Sequence, residues 1–156
     1  MKRTVFAVLL LLVFSALSGC AGPDYPPLPD DPIAFKTGSF EDTEHDGALY
    51  ATLEYGGRTY IGYGTANRRF SRDKAESCIG YIVMDANITS VPDPDNRDSR
   101  VYTLVGDPAH DFLMDFDKTA GPMNHPYFWR AVDTRGKDIA VPEFIDDPGY
   151  EYWEEG

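Results

Sequence analysis

The residues best suited to chemistry in this chain are its histidines, an aspartate-rich loop and its cysteines. The three histidines, His45, His110 and His125, lie far apart. None has a histidine partner at helical spacing, and no HExxH-type pair occurs. Each stands in a polar or proline-flanked loop, so a zinc site would have to gather two or three of them with an acid in three dimensions. Asp93-Pro94-Asp95-Asn96-Arg97-Asp98 concentrates oxygen donors in one short stretch, as calcium requires. The EF-hand pattern nevertheless fails, because Asp98 stands where its glycine belongs and Leu104 where its closing glutamate belongs. The stretch reads as a solvated hairpin loop, and no metal or other cofactor is implied.

Nucleophile patterns are also missing. There is no G-x-S-x-G elbow. Cys78 lies within Ser77-Cys78-Ile79-Gly80-Tyr81-Ile82-Val83-Met84, a run that reads as a buried strand, and a small buried hydrophobe is the role expected of it. Asp and Glu are plentiful enough that a carboxylate pair for glycoside hydrolysis stays open, since pairing is a three-dimensional matter.

Binding residues are easier to find. Aromatic residues make up 13% of the chain, and several tyrosines fall on strand-like runs: Tyr50, Tyr60, Tyr63, Tyr81 and Tyr102. If their hydroxyl ends reach solvent together, they form a platform for a glycan or an anchor set for a protein. The alternative is that they cover the core of a small barrel. Arg68-Arg69-Phe70-Ser71-Arg72 is the one basic island, placed in a long connection of the kind that often carries binding residues. It either pairs with the domain's own acids or meets an anionic group on a partner. The ligand-binding candidates are therefore Tyr60, Tyr63, Arg68, Arg69, Tyr81 and Tyr102.

The elements that must position these residues are strands. Leu49, Ala51, Leu53 and Tyr55 alternate with Tyr50, Thr52 and Glu54, and Gly56-Gly57 joins that run to Thr59-Tyr60-Ile61-Gly62-Tyr63 as a hairpin. Further strands are expected over residues 79–85, 100–105 and 127–133. Thr134-Arg135-Gly136-Lys137 reads as a turn into a last strand, Asp138 to Val141, which Pro142 ends. Residues 107–118 fit a helix start at Asp107-Pro108, or a strand in which Phe112, Met114 and Phe116 alternate; the strand is preferred. A short helix capped by Ser71 fits residues 70–76. Trp153 of the acidic, aromatic tail is expected to dock on the barrel, closing an edge or the mouth. The fold class is all-β, mainly antiparallel: a small barrel or sandwich of six to seven strands with one short helix possible.

The N-terminus has a different character. Met1-Lys2-Arg3 is positive, residues 5–14 are apolar, and Leu17-Ser18-Gly19-Cys20 follows. The apolar run is shorter than the ~20 residues that cross a bilayer, and its flanks describe a secretory signal. Leu17-Ser18-Gly19-Cys20 resembles the lipobox of bacterial lipoproteins. The resemblance implies that residues 1–19 are removed and that the Cys20 thiol carries the lipid. Residues 20–36, rich in proline, then read as an extended tether, and residues 37–156 as a single β-rich domain.

The formal charge is −12. Since Lys2 and Arg3 belong to the leader, the remainder is more acidic still. That balance excludes nucleic acid as a partner and leaves the lipid, not charge, to hold the protein at the membrane. The expectation is an extracytoplasmic lipoprotein of the cell envelope that binds an unknown protein or glycan, with catalysis the less favoured role. A hydrolase using carboxylate or metal chemistry and an inhibitor or immunity-type lipoprotein are the alternatives.

Overall fold

The computed structural model describes residues 24–42, 47–83, 99–116, 125–146 and 150–154. The residues expected to form the leader, the lipobox-like Leu17-Ser18-Gly19-Cys20 and the start of the tether, together with His45, the Asp93–Asp98 stretch and the end of the expected strand 79–85, lie outside the described residues.

The architecture is all-β. Eight strands form one sheet: β1 (Ile33–Lys36), β2 (Gly38–Asp42), β3 (Ala48–Tyr55), β4 (Arg58–Thr65), β5 (Ala75–Val83), β6 (Arg100–Leu104), β7 (Phe112–Phe116) and β8 (Tyr127–Ala131). Their order is β1-β5-β6-β7-β8-β4-β3-β2. Every pairing is antiparallel except that of β1 with β5.

The ends of that order explain the curvature. β1 and β2 lie at opposite edges of the sheet, yet only Thr37 separates them in the chain. The sheet must therefore curl until its edges approach, and it does so as a half-barrel. Phe35 on β1 and Tyr55 on β3 meet across the concave side, with ring centroids 6.4 Å apart.

Each face of the sheet buries its own cluster. The inner one contains Phe35, Leu53, Tyr60, Ile82, Val101, Leu113, Trp129 and Ala131, drawn from six strands and the edge strand β1. The outer one centres on Ile61, Tyr63, Tyr102, Phe112, Met114 and Phe128 and is covered by Phe144, Ile145, Tyr152 and Trp153. β6 is buried along its whole length as a result. A half-barrel with one wet face would show strict polar alternation; this one does not, because irregular segments cover its convex side.

Local sequence explains several joints. Gly56 and Gly57 adopt φ of 59° and 77°, the double left-handed conformation that a two-residue hairpin turn needs. Tyr63 bulges out of the β4–β8 pairing between Gly62 and Gly64. The bulge leaves the Gly62 carbonyl free to accept the Trp153 indole N–H at 2.9 Å. At Gly64 a side chain would collide with the Asp146 carbonyl oxygen, so glycine lets the returning segment lie against β4.

Some expectations change. Ile33–Lys36, expected in the tether, pair in parallel with β5, and residues 24–32 lie on the domain, with Tyr25 and Leu28 packed on the outer cluster. Asp138 to Val141 form no strand; the chain turns through a 3-10 turn, Val132–Thr134, and Ile139 bonds locally to Lys137. Leu49, expected to point inward, is 71% exposed, since its half of β3 pairs only with the edge strand β2, beyond the core. Residues 112–116 form the preferred strand, and the short helix is one 3-10 turn, Arg72–Lys74. The Ser71 hydroxyl bonds to the Asp73 carboxylate and does not cap the turn.

Candidate functional site

Of the two arrangements open to the candidate tyrosines, an exposed platform or cover for the core, Tyr60, Tyr63 and Tyr102 adopt the second. Tyr60 is buried in the inner cluster, and Tyr63 and Tyr102 are buried in the outer one. Tyr81 on β5 is half-buried. The strand parity that separates faces held, but both faces are covered, so neither offers a stacking surface. Trp153 docks on the outer face, against Tyr63 and over Arg130, 4.6 Å from the guanidinium to the ring centroid, and not at an edge or mouth.

The basic island is exposed. Arg69 approaches Glu143 at 3.4 Å and Arg72 approaches Asp24 at 3.6 Å. Arg68 has no ion pair among the described residues. Cys78 is buried, as expected, with its thiol 3.6 Å from the Gly80 carbonyl oxygen. His125 is exposed, and His110 sits in the loop between β6 and β7. Among the described residues no three His, Cys, Asp or Glu side chains gather as a metal site.

The surface does contain a concavity that no short motif announces. A half-open cleft of about 410 Å³ lies between the β6–β7 loop and the segment after β8. Val105, Pro108 and Ala109 form one wall, Ala140, Val141 and Pro142 the other, and Phe112 and Phe144 line it as well. Val105 and Val141 are 52% and 41% exposed, two of the few large apolar side chains left in water. Their convergence on one cleft gives it two exposed apolar contacts beside its charged lining, Lys74, Asp107, Asp111 and Glu143.

Both walls are held from behind. Arg58 donates through Nη1 to the carbonyl oxygens of Ala109 and His110, at 2.7 and 3.0 Å. Its Nη2 donates to Asp111 Oδ1 at 2.9 Å and to Asp133 Oδ1 at 2.8 Å. Burial works against its charge, but the bonds to Asp133 and Asp111 outweigh that and hold its pKa above the usual value. The Tyr60 hydroxyl donates to the same His110 carbonyl at 2.7 Å, and burial pushes its pKa up to about 12. Asp107 spans the loop, its two carboxylate oxygens accepting the backbone N–H of Asp111 and Phe112 at 3.0 and 2.8 Å. These anchors hold His110 at φ 51°, a left-handed conformation uncommon outside glycine. In the opposite wall, the Asn67 amide group donates to the Glu143 carbonyl at 3.1 Å, and the Asn67 backbone N–H donates to Phe144 at 3.0 Å.

The charges around the cleft are unevenly committed. Asp107 is spent on backbone amides and Asp111 on Arg58, so neither is placed as a free general acid or base, while Glu143, which also lines the cleft, keeps a 76% exposed carboxylate in one 3.4 Å pair with Arg69. Lys74 lines the cleft, and among the described residues no carboxylate pairs with its ammonium. Its neighbour Asp73 bonds to Ser71, which lowers the Asp73 pKa. The arrangement can hold an apolar body by contact and one anionic group by charge. Sequence reading missed Val105, Val141 and Lys74 because they come from three separate connections. The one local cue was Asp107-Pro108, whose capping chemistry is present but serves a loop.

Comparison with protein-family models, with curated proteins and with solved structures finds no match to this chain.

Proposed function

We propose that the protein is a lipid-anchored binding module of the cell envelope, held by Cys20, whose ligand occupies the cleft between residues 105–112 and 140–144. The observation that carries this reading is the exposure of Val105 and Val141 into one cleft whose walls are fixed by Arg58, Asp107 and Asn67. Its volume lies within the ~300–1,000 Å³ range of small-molecule pockets. Fixed walls lower the ordering cost of binding. The ligand is a molecule with an apolar body and one anionic group, the second directed at Lys74. Catalysis is the weaker reading, because the cleft's two aspartates are engaged and its remaining carboxylate, Glu143, is exposed with Arg69 as its ion-pair partner.

Anilinonaphthalene sulfonate has this chemistry and serves as the probe. Its fluorescence should rise saturably with the folded protein. Val105→Asp and Val141→Asp should each abolish the rise, and Lys74→Gln should weaken binding about tenfold, the loss of one good charge-assisted contact. Circular dichroism and thermal unfolding must stay as in the parent. Equal dye binding by the parent and by both valine variants would exclude the cleft.

A further inference from the structure

The docked N-terminal segment shortens the leash. Tyr25 stacks on Phe116 with centroids 4.6 Å apart and meets Tyr102 at 5.4 Å. The Arg72 guanidinium lies 5.4 Å above the Tyr25 ring, and Leu28 joins the same cluster. Cys20 precedes Tyr25 by five residues, which span at most about 18 Å when fully extended. A domain of this size has a radius of gyration near 14 Å, estimated from chain length, so such a leash is shorter than the domain is wide. If the lipid sits on Cys20, the side bearing Tyr25 must stay close to the bilayer.

That side also carries the basic island. Arg72 touches the Tyr25 segment directly, and Arg68 and Arg69 lie within four residues of it, at most about 14 Å along the chain. The ion pairs of Arg69 and Arg72 are loose: the side chains are 63% and 54% exposed, and their partners Glu143 and Asp24 are 76% and 93% exposed. Such pairs contribute little and exchange readily for other anions. Guanidinium groups match phosphate oxygens with paired donors. A chain still more acidic than −12 once Lys2 and Arg3 leave with the leader is, near an anionic surface, driven to turn its basic side inward.

We propose that Arg68, Arg69 and Arg72 contact the phosphates of the bilayer headgroups, so that the anchored domain rests on the membrane in one orientation and does not swing on a long tether. This rests on the lipid-anchor reading above. The test uses lipidated protein with a fluorophore at Ser71→Cys, in a Cys78→Ala background, on phosphatidylglycerol vesicles whose headgroups carry a nitroxide quencher. Quenching should be strong at low salt. The exposed double variant Arg68→Glu/Arg69→Glu should reduce it severalfold, and raised salt should do the same. Tyr25→Ala should also reduce it, because release of the segment lengthens the leash to the thirteen residues before Ile33, up to about 45 Å. Protein that fails to float with the vesicles overturns the anchor and this orientation together. Protein that floats but is unquenched, or whose quenching ignores both the double variant and salt, overturns the orientation alone.

Discussion

Arg58 at the start of β4 donates to Asp111 at 2.9 Å, joining residues 53 positions apart. The same guanidinium bonds Asp133 beyond β8 and two loop carbonyls, so one side chain ties three connections into the wall behind the cleft. Its planar fork is the reason it can do so, since a lysine ammonium cannot hold that many acceptors in fixed directions. Arg58→Lys should therefore lower stability by about 1–3 kcal/mol, read as a lower urea midpoint. The loop should also loosen, seen as faster amide exchange at Asp111 and Phe112. A midpoint equal to the parent's would show that the fork is dispensable.

The buried tyrosines predict an alkaline limit to stability. Burial raises the pKa of Tyr60 to about 12, and burial likewise raises those of Tyr102 and Tyr127. In the unfolded chain a tyrosine titrates near 10. Between these values the folded state holds a proton that the unfolded state has lost, so stability falls as pH rises. The contribution is complete below about pH 10 and is lost through about pH 12. Tyrosinate absorbance should rise in two phases, the later one coinciding with unfolding, and Tyr60→Phe should shrink the later phase. A single phase near the ordinary value would show that burial does not protect these hydroxyls.

Much of the sheet was legible because its cues are local. Gly56-Gly57 between two alternating runs specified the hairpin, and the β-branched and aromatic runs placed β5 to β8. β1 and β2 were missed for the opposite reason: Ile33–Lys36 is only four residues long and follows a proline-rich stretch, Gly38–Asp42 is short and mostly polar, and no turn separates them. β1 finds its partner β5 only through a pairing some 47 residues away, whereas β2 pairs with the next strand, β3, without a glycine-rich two-residue turn to announce the hairpin. The fate of the tyrosines was not legible either. Alternation assigns Tyr60 and Ile61 to different faces but cannot say that both faces are covered. That depends on Phe144, Ile145, Tyr152 and Trp153 folding back from distant parts of the chain. The cleft was invisible for the same reason, since Val105 and Val141 meet only through topology.

The docked N-terminal segment should be separable from the rest of the fold. Tyr25 contributes ring contacts to Phe116 and Tyr102, and aromatic pairs of this kind are worth about 0.5–1.5 kcal/mol beyond their burial. Tyr25→Ala should leave global unfolding cooperative, lower stability by about 1–3 kcal/mol and speed amide exchange in residues 24–32. It should also open the Tyr102 hydroxyl, which is buried without a hydrogen-bond partner among the described residues, to water. The Tyr102 pKa, raised by burial and then by the neighbouring Cys78 thiol, should drop toward the ordinary value. Slow exchange in the variant, equal to the parent's, would mean that Tyr25 does not hold the segment.

Trp153 carries the heaviest single demand on the outer face. Its ring meets Tyr152 and Tyr63 at 4.8 and 5.6 Å, lies over the buried Arg130 guanidinium, and donates its N–H to the Gly62 carbonyl freed by the β4 bulge. Arg130 is otherwise held by Thr134, through Nε to the hydroxyl at 2.8 Å and Nη2 to the carbonyl at 2.9 Å. Removing the indole strips this cation of its aromatic cover and leaves a cavity beside Tyr63. Trp153→Ala should therefore cost about 3–5 kcal/mol. Trp153→Phe keeps a ring over Arg130 but orphans the Gly62 carbonyl, and should cost about 1–3 kcal/mol. Urea unfolding of the two variants separates packing from hydrogen bonding, because the difference between them reports the ring alone. If Trp153→Ala unfolds with the parent's midpoint, the Trp153 ring contributes nothing to the outer core.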